Sequence, residues 1–170
     1  MKYNLYFILA AILTLGCANS TKKEQQATTT TFILVRHAEK ANDVTKDPPL
    51  TEEGTQRAER LAALLDQQDI VALYATPYQR TQLTLQPLAT AKNLSVTSYQ
   101  PGEEGFLTGL LESQPNNIIV IAGHSNTIPA LVNELIGEEK FVQLDESDYN
   151  DIFVVTCSEI GKGNVIQLTY

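Results

Sequence analysis

Two histidines occur in this chain, His37 and His124, and each follows a short apolar run. The first sits in Arg36-His37-Ala38-Glu39-Lys40, behind Phe32 to Val35. The second sits in Gly123-His124-Ser125-Asn126-Thr127, behind Asn117 to Ala122. A second arginine lies in Thr76-Pro77-Tyr78-Gln79-Arg80-Thr81, behind Ile70 to Ala75. Guanidinium groups bind phosphate oxygens in bidentate fashion. A neutral imidazole can attack phosphorus and carry the phosphoryl group as phosphohistidine. Two nearby arginines oppose protonation of His37 and keep its nitrogen free. Singly, a histidine is more often structural than catalytic and an arginine is usually a solvated charge. Four such residues following three apolar runs make a joint phosphate site the better reading, because ligands in open α/β sheets bind beyond the carboxyl ends of the strands.

The elements that must position them follow from periodicity. Strand-type runs occupy 32–35, 70–75, 94–99, 117–122, 152–157 and 165–169. Helical patterns occupy 51–67, a segment opening at Thr76-Pro77, 103–113 and 127–136. Thr51 can cap the first helix, with Glu52 and Glu53 in its positive first turn. Thr76 followed by proline at the first helical position predicts the start of the second, and Pro87 predicts its bend or end. Gly137 stands just past the fourth helix. The run 117–122 is apolar on both faces and reads as a central strand. A turn at 161–164 makes the last two strands an antiparallel hairpin. This alternation predicts an α/β three-layer sandwich, a mainly parallel sheet with helices on both faces.

Composition narrows the partners. Of 170 residues, 43% are hydrophobic and 19% charged, which is globular composition, and the net charge is −8. No basic stripe exists for a nucleic acid, so any phosphate site is a local basic pocket in an acidic molecule. Two histidines and two cysteines give no zinc-ligand spacing, and no cofactor is expected. The acidic run Asp145 to Asp151 lacks the calcium-loop pattern and reads as a solvated loop, with Tyr149 available to the sheet edge. Glu39 and Lys40 read as a rim ion pair or as substrate steering.

The N-terminus reads as targeting. Met1 and Lys2 precede an apolar stretch, 3–15, that is too short for a comfortable span but suits a secretory signal. Leu15-Gly16-Cys17 resembles the lipobox of bacterial lipoproteins, which implies lipidation of Cys17. The departure is Thr14, where a larger aliphatic residue is usual; a plain signal peptide and an uncleaved anchor are the alternatives. Residues 1–17 are then the signal, 18–30 a polar tether, and 31–170 the domain. Cys157 is expected to be a buried strand residue, leaving a fold without disulfides.

Taken together, the motifs resemble those of the histidine phosphatase superfamily, the phosphoglycerate-mutase-like fold. Arg36-His37-Ala38-Glu39 is similar to its Arg-His-Gly signature, with Ala38 for glycine as in the small branch that includes phosphohistidine phosphatases. Pro49-Leu50-Thr51-Glu52-Glu53-Gly54, Thr76-Pro77-Tyr78-Gln79-Arg80-Thr81 and Gly123-His124-Ser125 are similar to three further family segments in order and spacing. The resemblance implies a metal-independent phosphatase with His37 as phosphorylated nucleophile and Arg36, Arg80 and His124 lining the phosphate pocket. It places a leaving-group acid at Glu103 or Glu104, or at neither, since some small members lack one; charge at a helix N-terminus explains both equally. Asn42 and Asp43 straddle a position that helps hold phosphate in the family, and neither is assigned.

The expected substrate is a phosphorylated small molecule or a phosphoprotein, reached from a lipid anchor in the bacterial cell envelope, facing the periplasm or exterior. One alternative is a protein phosphohistidine phosphatase. Another is a non-catalytic lipoprotein that binds a phosphorylated ligand.

Overall fold

The computed structural model describes residues 28–42 and 45–170. The lipidation residue Cys17, the signal segment and the tether up to residue 27 lie outside the described residues, as does Asp43. Six strands and four helices alternate. They are β1 (Thr30–Arg36), α1 (Glu52–Leu64), β2 (Ile70–Ala75), α2 (Gln79–Lys92), β3 (Val96–Ser98), α3 (Phe106–Ser113), β4 (Ile118–Gly123), α4 (Thr127–Ile136), β5 (Asp151–Cys157) and β6 (Asn164–Thr169). The sheet order is β3-β2-β4-β1-β5-β6. β3, β2, β4 and β1 run parallel, and β5 and β6 are added as an antiparallel hairpin. The expected three-layer α/β sandwich is therefore present.

Strand chemistry explains the layers. β1 and β4 lie at the centre and bury both faces, so they carry continuous apolar runs rather than alternation. Their side chains split between two cores. Phe32, Leu34, Ile119 and Ile121 pack with Leu107 of α3 and Ile128, Val132 and Leu135 of α4. Ile33, Val35, Val120 and Ala122 pack with Leu61 of α1 and Leu85 and Leu88 of α2. Each fully buried aliphatic side chain contributes about 1.5–3 kcal/mol.

Local signals explain most boundaries. The Thr51 hydroxyl accepts from Gly54 N, capping α1 as expected. Gly54 is constrained further, since a Cβ there would come within 3.0 Å of the Glu39 backbone. Gly137 closes α4 with φ 73°, a left-handed conformation that glycine adopts without strain.

Three expectations are corrected. Thr76 does not cap α2; the helix starts at Gln79 behind Tyr78, which makes no side-chain cap, because the Thr76 hydroxyl is bonded elsewhere. Of the two effects expected of Pro87, a bend or an end, the end does not occur: α2 runs on to Lys92 and stops at left-handed Asn93. Burial of Leu85, Leu88 and Ala89 holds the turns around the proline against its roughly 3 kcal/mol penalty. The first strand begins at Thr30, a buried residue, so the last residue assigned to the tether belongs to the sheet.

Candidate active site

The parallel register brings three loops to one edge. Arg36 of β1 pairs with Gly123 of β4, and His37 N donates to Gly123 O at 2.9 Å. On the other side of β4, Thr76 N reaches Ala122 O. His37, His124 and the start of α2 thus follow the ends of three adjacent strands.

The histidine rings meet edge to face with centroids 5.4 Å apart. His37 is buried, and its Nδ1 lies 2.8 Å from the carbonyl oxygen of Ala38. A carbonyl only accepts, so Nδ1 carries the proton and the neutral ring keeps its lone pair on Nε2. Burial, reinforced by Arg36, His124 and Arg80, lowers the His37 pKa to about 4. His124 is also lowered to about 4, by burial first and then by Arg80 and Arg36. Both rings are neutral at physiological pH, and at His37 this leaves the unprotonated nitrogen that nucleophilic attack requires.

Arg36 is almost wholly buried. Its Nη1 donates to the carbonyl oxygens of Asp145 and Asp148, both at 2.7 Å. Its Nη2 donates to Glu146 O at 3.2 Å and Glu146 Oε2 at 3.0 Å. Its guanidinium also lies 4.1 Å over the Tyr149 ring, which is itself 6.0 Å from His37. Arg80 stacks on Tyr78 at 4.4 Å and lies 3.7 Å from Asp47. In both arginines Nε is buried with no hydrogen-bond partner. Two buried cationic N–H donors without acceptors, near two neutral imidazoles, are a set of groups suited to a small oxyanion.

The structure therefore gathers Arg36, His37, Arg80 and His124. It does not join Glu103 or Glu104 to them by any contact among the described residues. Both stand in the turn before α3, which starts only at Phe106 behind left-handed Gly105. They line a cavity of about 430 Å³ together with Tyr99, Phe106, Asn126 and Thr127. That cavity begins just past His124, whose backbone N–H donates to Thr127 Oγ1 at 2.8 Å.

Sequence reasoning missed several supporting residues. The segment read as a solvated loop supplies the acceptors for Arg36, because its backbone carbonyls, invisible in composition, turn inward. Tyr149 packs on the site rather than on a bare sheet edge. Glu39 pairs with Arg57, not with Lys40: Arg57 Nη2 donates to Glu39 Oε1 at 2.6 Å, while Nη1 donates to Asn150 Oδ1 and Tyr170 O. The Ala38 N–H donates to Thr84 Oγ1 at 2.9 Å, and the Ser125 hydroxyl donates to Glu146 Oε1 at 2.7 Å. The threonines in and just before α2 were the one available signal, since three of them, Thr76, Thr81 and Thr84, exceed what capping needs. Among the described residues, no group of three or more His, Cys, Asp and Glu gathers as a metal site, and no helix is long and apolar enough to cross a membrane.

Comparison with known proteins agrees with this geometry. Residues 32–101 match the family model of the histidine phosphatase superfamily, branch 1. Phosphoserine phosphatase 1 of Hydrogenobacter thermophilus is 43% identical over 71 residues, 38% of this chain. The match spans about a third (34%) of the length of that relative. Among solved structures, the protein histidine phosphatase SixA in complex with tungstate superposes with TM-score 0.67 at 23% identity, covering 82% of this chain and 96% of its own. A mycobacterial glucosyl-3-phosphoglycerate phosphatase gives TM-score 0.68 at 14% identity, covering 81% and 97%. Residues 32–101 are thus similar in sequence to the histidine phosphatase superfamily, branch 1, and the sheet with its helices shares the fold of these solved structures.

Proposed function

We propose that this chain is a phosphatase that hydrolyses phosphomonoesters through a phosphohistidine on His37, without a metal. The observation that carries the reading is the fixed tautomer of His37: Nδ1–H is committed to Ala38 O, so Nε2 is the nucleophile. The Nε donors of Arg36 and Arg80 supply the acceptor-free charge that phosphate oxygens need. In the first half-reaction Nε2 bonds to phosphorus while the P–O bond to the leaving alcohol breaks, and that oxygen takes a proton. In the second, water attacks phosphorus, the P–N bond breaks, and phosphate leaves with His37 neutral again. Carbonyl-bound Nδ1–H stabilises the positive charge that the ring carries in between. His124 contributes a further hydrogen-bonding group to the phosphate oxygens. Glu103 and Glu104 are the candidate acids for the leaving oxygen from across the adjoining cavity.

Attachment to the bacterial cell envelope through a lipid on Cys17, with the domain facing the periplasm or exterior, belongs to the same proposal and rests on the lipobox-like Leu15-Gly16-Cys17. The test is hydrolysis of p-nitrophenyl phosphate by the chain with EDTA present, beside His37→Ala. Turnover that resists EDTA and vanishes in the variant is the expected result. Equal turnover in both proteins would remove His37 as nucleophile.

A protein phosphohistidine substrate is the second reading, and one observation favours it. The domain superposes on 96% of the chain of the protein histidine phosphatase SixA, at the higher sequence identity of the two structures compared above. Dephosphorylation of a phosphohistidine-bearing protein at a rate above that of p-nitrophenyl phosphate would select this reading; the reverse would select the small-molecule one.

A further inference from the structure

Thr76 and Thr81 are fully buried beside the site, and their hydroxyls form a chain ending on His124. Thr81 Oγ1 lies 2.8 Å from two carbonyl oxygens, those of Thr76 and Tyr78. Carbonyls cannot donate, so the single Thr81 proton goes to them. Thr76 Oγ1 lies 3.0 Å from Thr81 Oγ1, and with the Thr81 proton so committed the hydrogen between the two oxygens must come from Thr76. The Thr76 oxygen is then left as an acceptor, 2.9 Å from His124 Nε2. The opposite arrangement, with Thr76 donating to His124, would press two hydroxyl oxygens together with no hydrogen between them.

We infer that Thr76, oriented by Thr81, is a positioning residue that pins His124 as the Nε2–H tautomer, so that His124 meets the phosphoryl group through Nδ1. The two histidines then work through opposite nitrogens. His37 spends its Nδ1–H on a carbonyl and reacts at Nε2; His124 spends its Nε2–H on a hydroxyl and keeps Nδ1. Tyr78 and His37 pack edge-on against the ring with centroids 5.2 Å and 5.4 Å away, which favours this one orientation.

A consequence is that neutral His124 has no proton on the nitrogen left for phosphate. Burial first, then Arg80 and Arg36, keeps the ring neutral; the other groups facing it are His37 and Tyr78, edge-on, while Glu146 is turned to Ser125 and Arg36. An arriving oxyanion offsets the arginines and lets Nδ1 take one proton from solvent, which it then donates to the anion.

The inference rests on the phosphatase reading for its purpose but not for its test. Nitrogen-15 NMR of the histidines in the full chain reads the tautomer directly, without turnover. The expected result near neutral pH is Nε2–H at His124 and Nδ1–H at His37, with a proton appearing at His124 Nδ1 when tungstate is added. An Nδ1–H tautomer at His124 before tungstate, or no change at Nδ1 after it, overturns the inference. In turnover, Thr76→Val should lose roughly tenfold or more in kcat/KM, and Thr76→Ser should stay within about threefold of the parent. The Thr76→Val profile should also change its pH dependence, which a merely structural threonine would not do. Equal kcat/KM and pH profile for Thr76→Val and the parent would refute the positioning role. If Thr76→Val does not fold, the tautomer of the unsubstituted chain decides the matter.

Discussion

Arg36 is as much a fastener as a phosphate ligand, and Arg36→Met separates the two roles. The substitution keeps an apolar stem of similar length but removes four donated hydrogen bonds, three to carbonyls of residues 145–148 and one to the Glu146 carboxylate. Hydrogen bonds from a charged group are worth about 1.5–3 kcal/mol each in net terms. Two corrections bring the sum down. The 145–148 segment is largely exposed, so water can replace part of what its carbonyls lose. The variant also escapes the cost of keeping a guanidinium buried. About 3 kcal/mol remains, which in a domain of this size lowers Tm by about 6–12 °C. Thermal unfolding by circular dichroism measures the shift, and amide exchange should show 145–150 losing protection first. Glu146→Gln serves as control. Its side chain is mostly exposed, so that ion pair is worth less than about 1 kcal/mol. A Tm for Arg36→Met within about 1 °C of the parent would refute the fastening argument, even if activity were lost.

Four further outcomes follow from the same geometry. Gly54→Ala drives a Cβ into the Glu39 carbonyl oxygen. Because backbone rather than a flexible side chain is struck, it should cost about 2 kcal/mol or more, read as a fall in the urea midpoint at constant slope. His37 and His124 are depressed to about 4 in the folded chain against 6.5 unfolded, so the unfolded chain binds more protons between those values. Stability is accordingly full above about pH 6.5 and lost as pH falls toward about 4, and His37→Gln with His124→Gln should flatten that slope. The same neutral His37 predicts that kcat/KM is lost as pH falls through about 4; a limb near 6.5 in the pH–rate profile would refute the depressed ring. Finally, Arg57→Gln removes the clamp from Glu39 to Asn150 and the Tyr170 carbonyl, and should cost about 3 kcal/mol in denaturant melts.

Much of this architecture is legible in the residues because burial and periodicity speak together. β2 and α4 fall at the expected boundaries, since Ile70–Ala75 is bounded by polar residues and Gly137 ends its helix by a local rule. The convergence of Arg36, His37, Arg80 and His124 was legible for a topological reason: parallel strands put their carboxyl ends on one edge. What could not be read is the shell around them. Thr76 looks like a helix cap by local chemistry, yet its hydroxyl is drawn into a tertiary chain toward His124, and α2 starts three residues later. Pro87 looks like a stop, yet core packing carries the helix through it. The 145–148 segment looks solvated because its side chains are acidic, while the groups that matter are its backbone carbonyls. Glu103 and Glu104 show the converse: their placement depended on a helix start that in fact lies at Phe106, and they face a neighbouring cavity instead.

The central claim is that His37 carries the phosphoryl group on Nε2. Rapid quench of the chain with a phosphomonoester under single-turnover conditions, followed by intact mass and peptide mapping at alkaline pH, tests it most directly. The account predicts a transient adduct of one phosphoryl group, stable to base and labile to acid, on the peptide holding Arg36 and His37, and absent from His37→Ala. An adduct on any other residue, or turnover with no phosphoryl-enzyme at any time point, would contradict it.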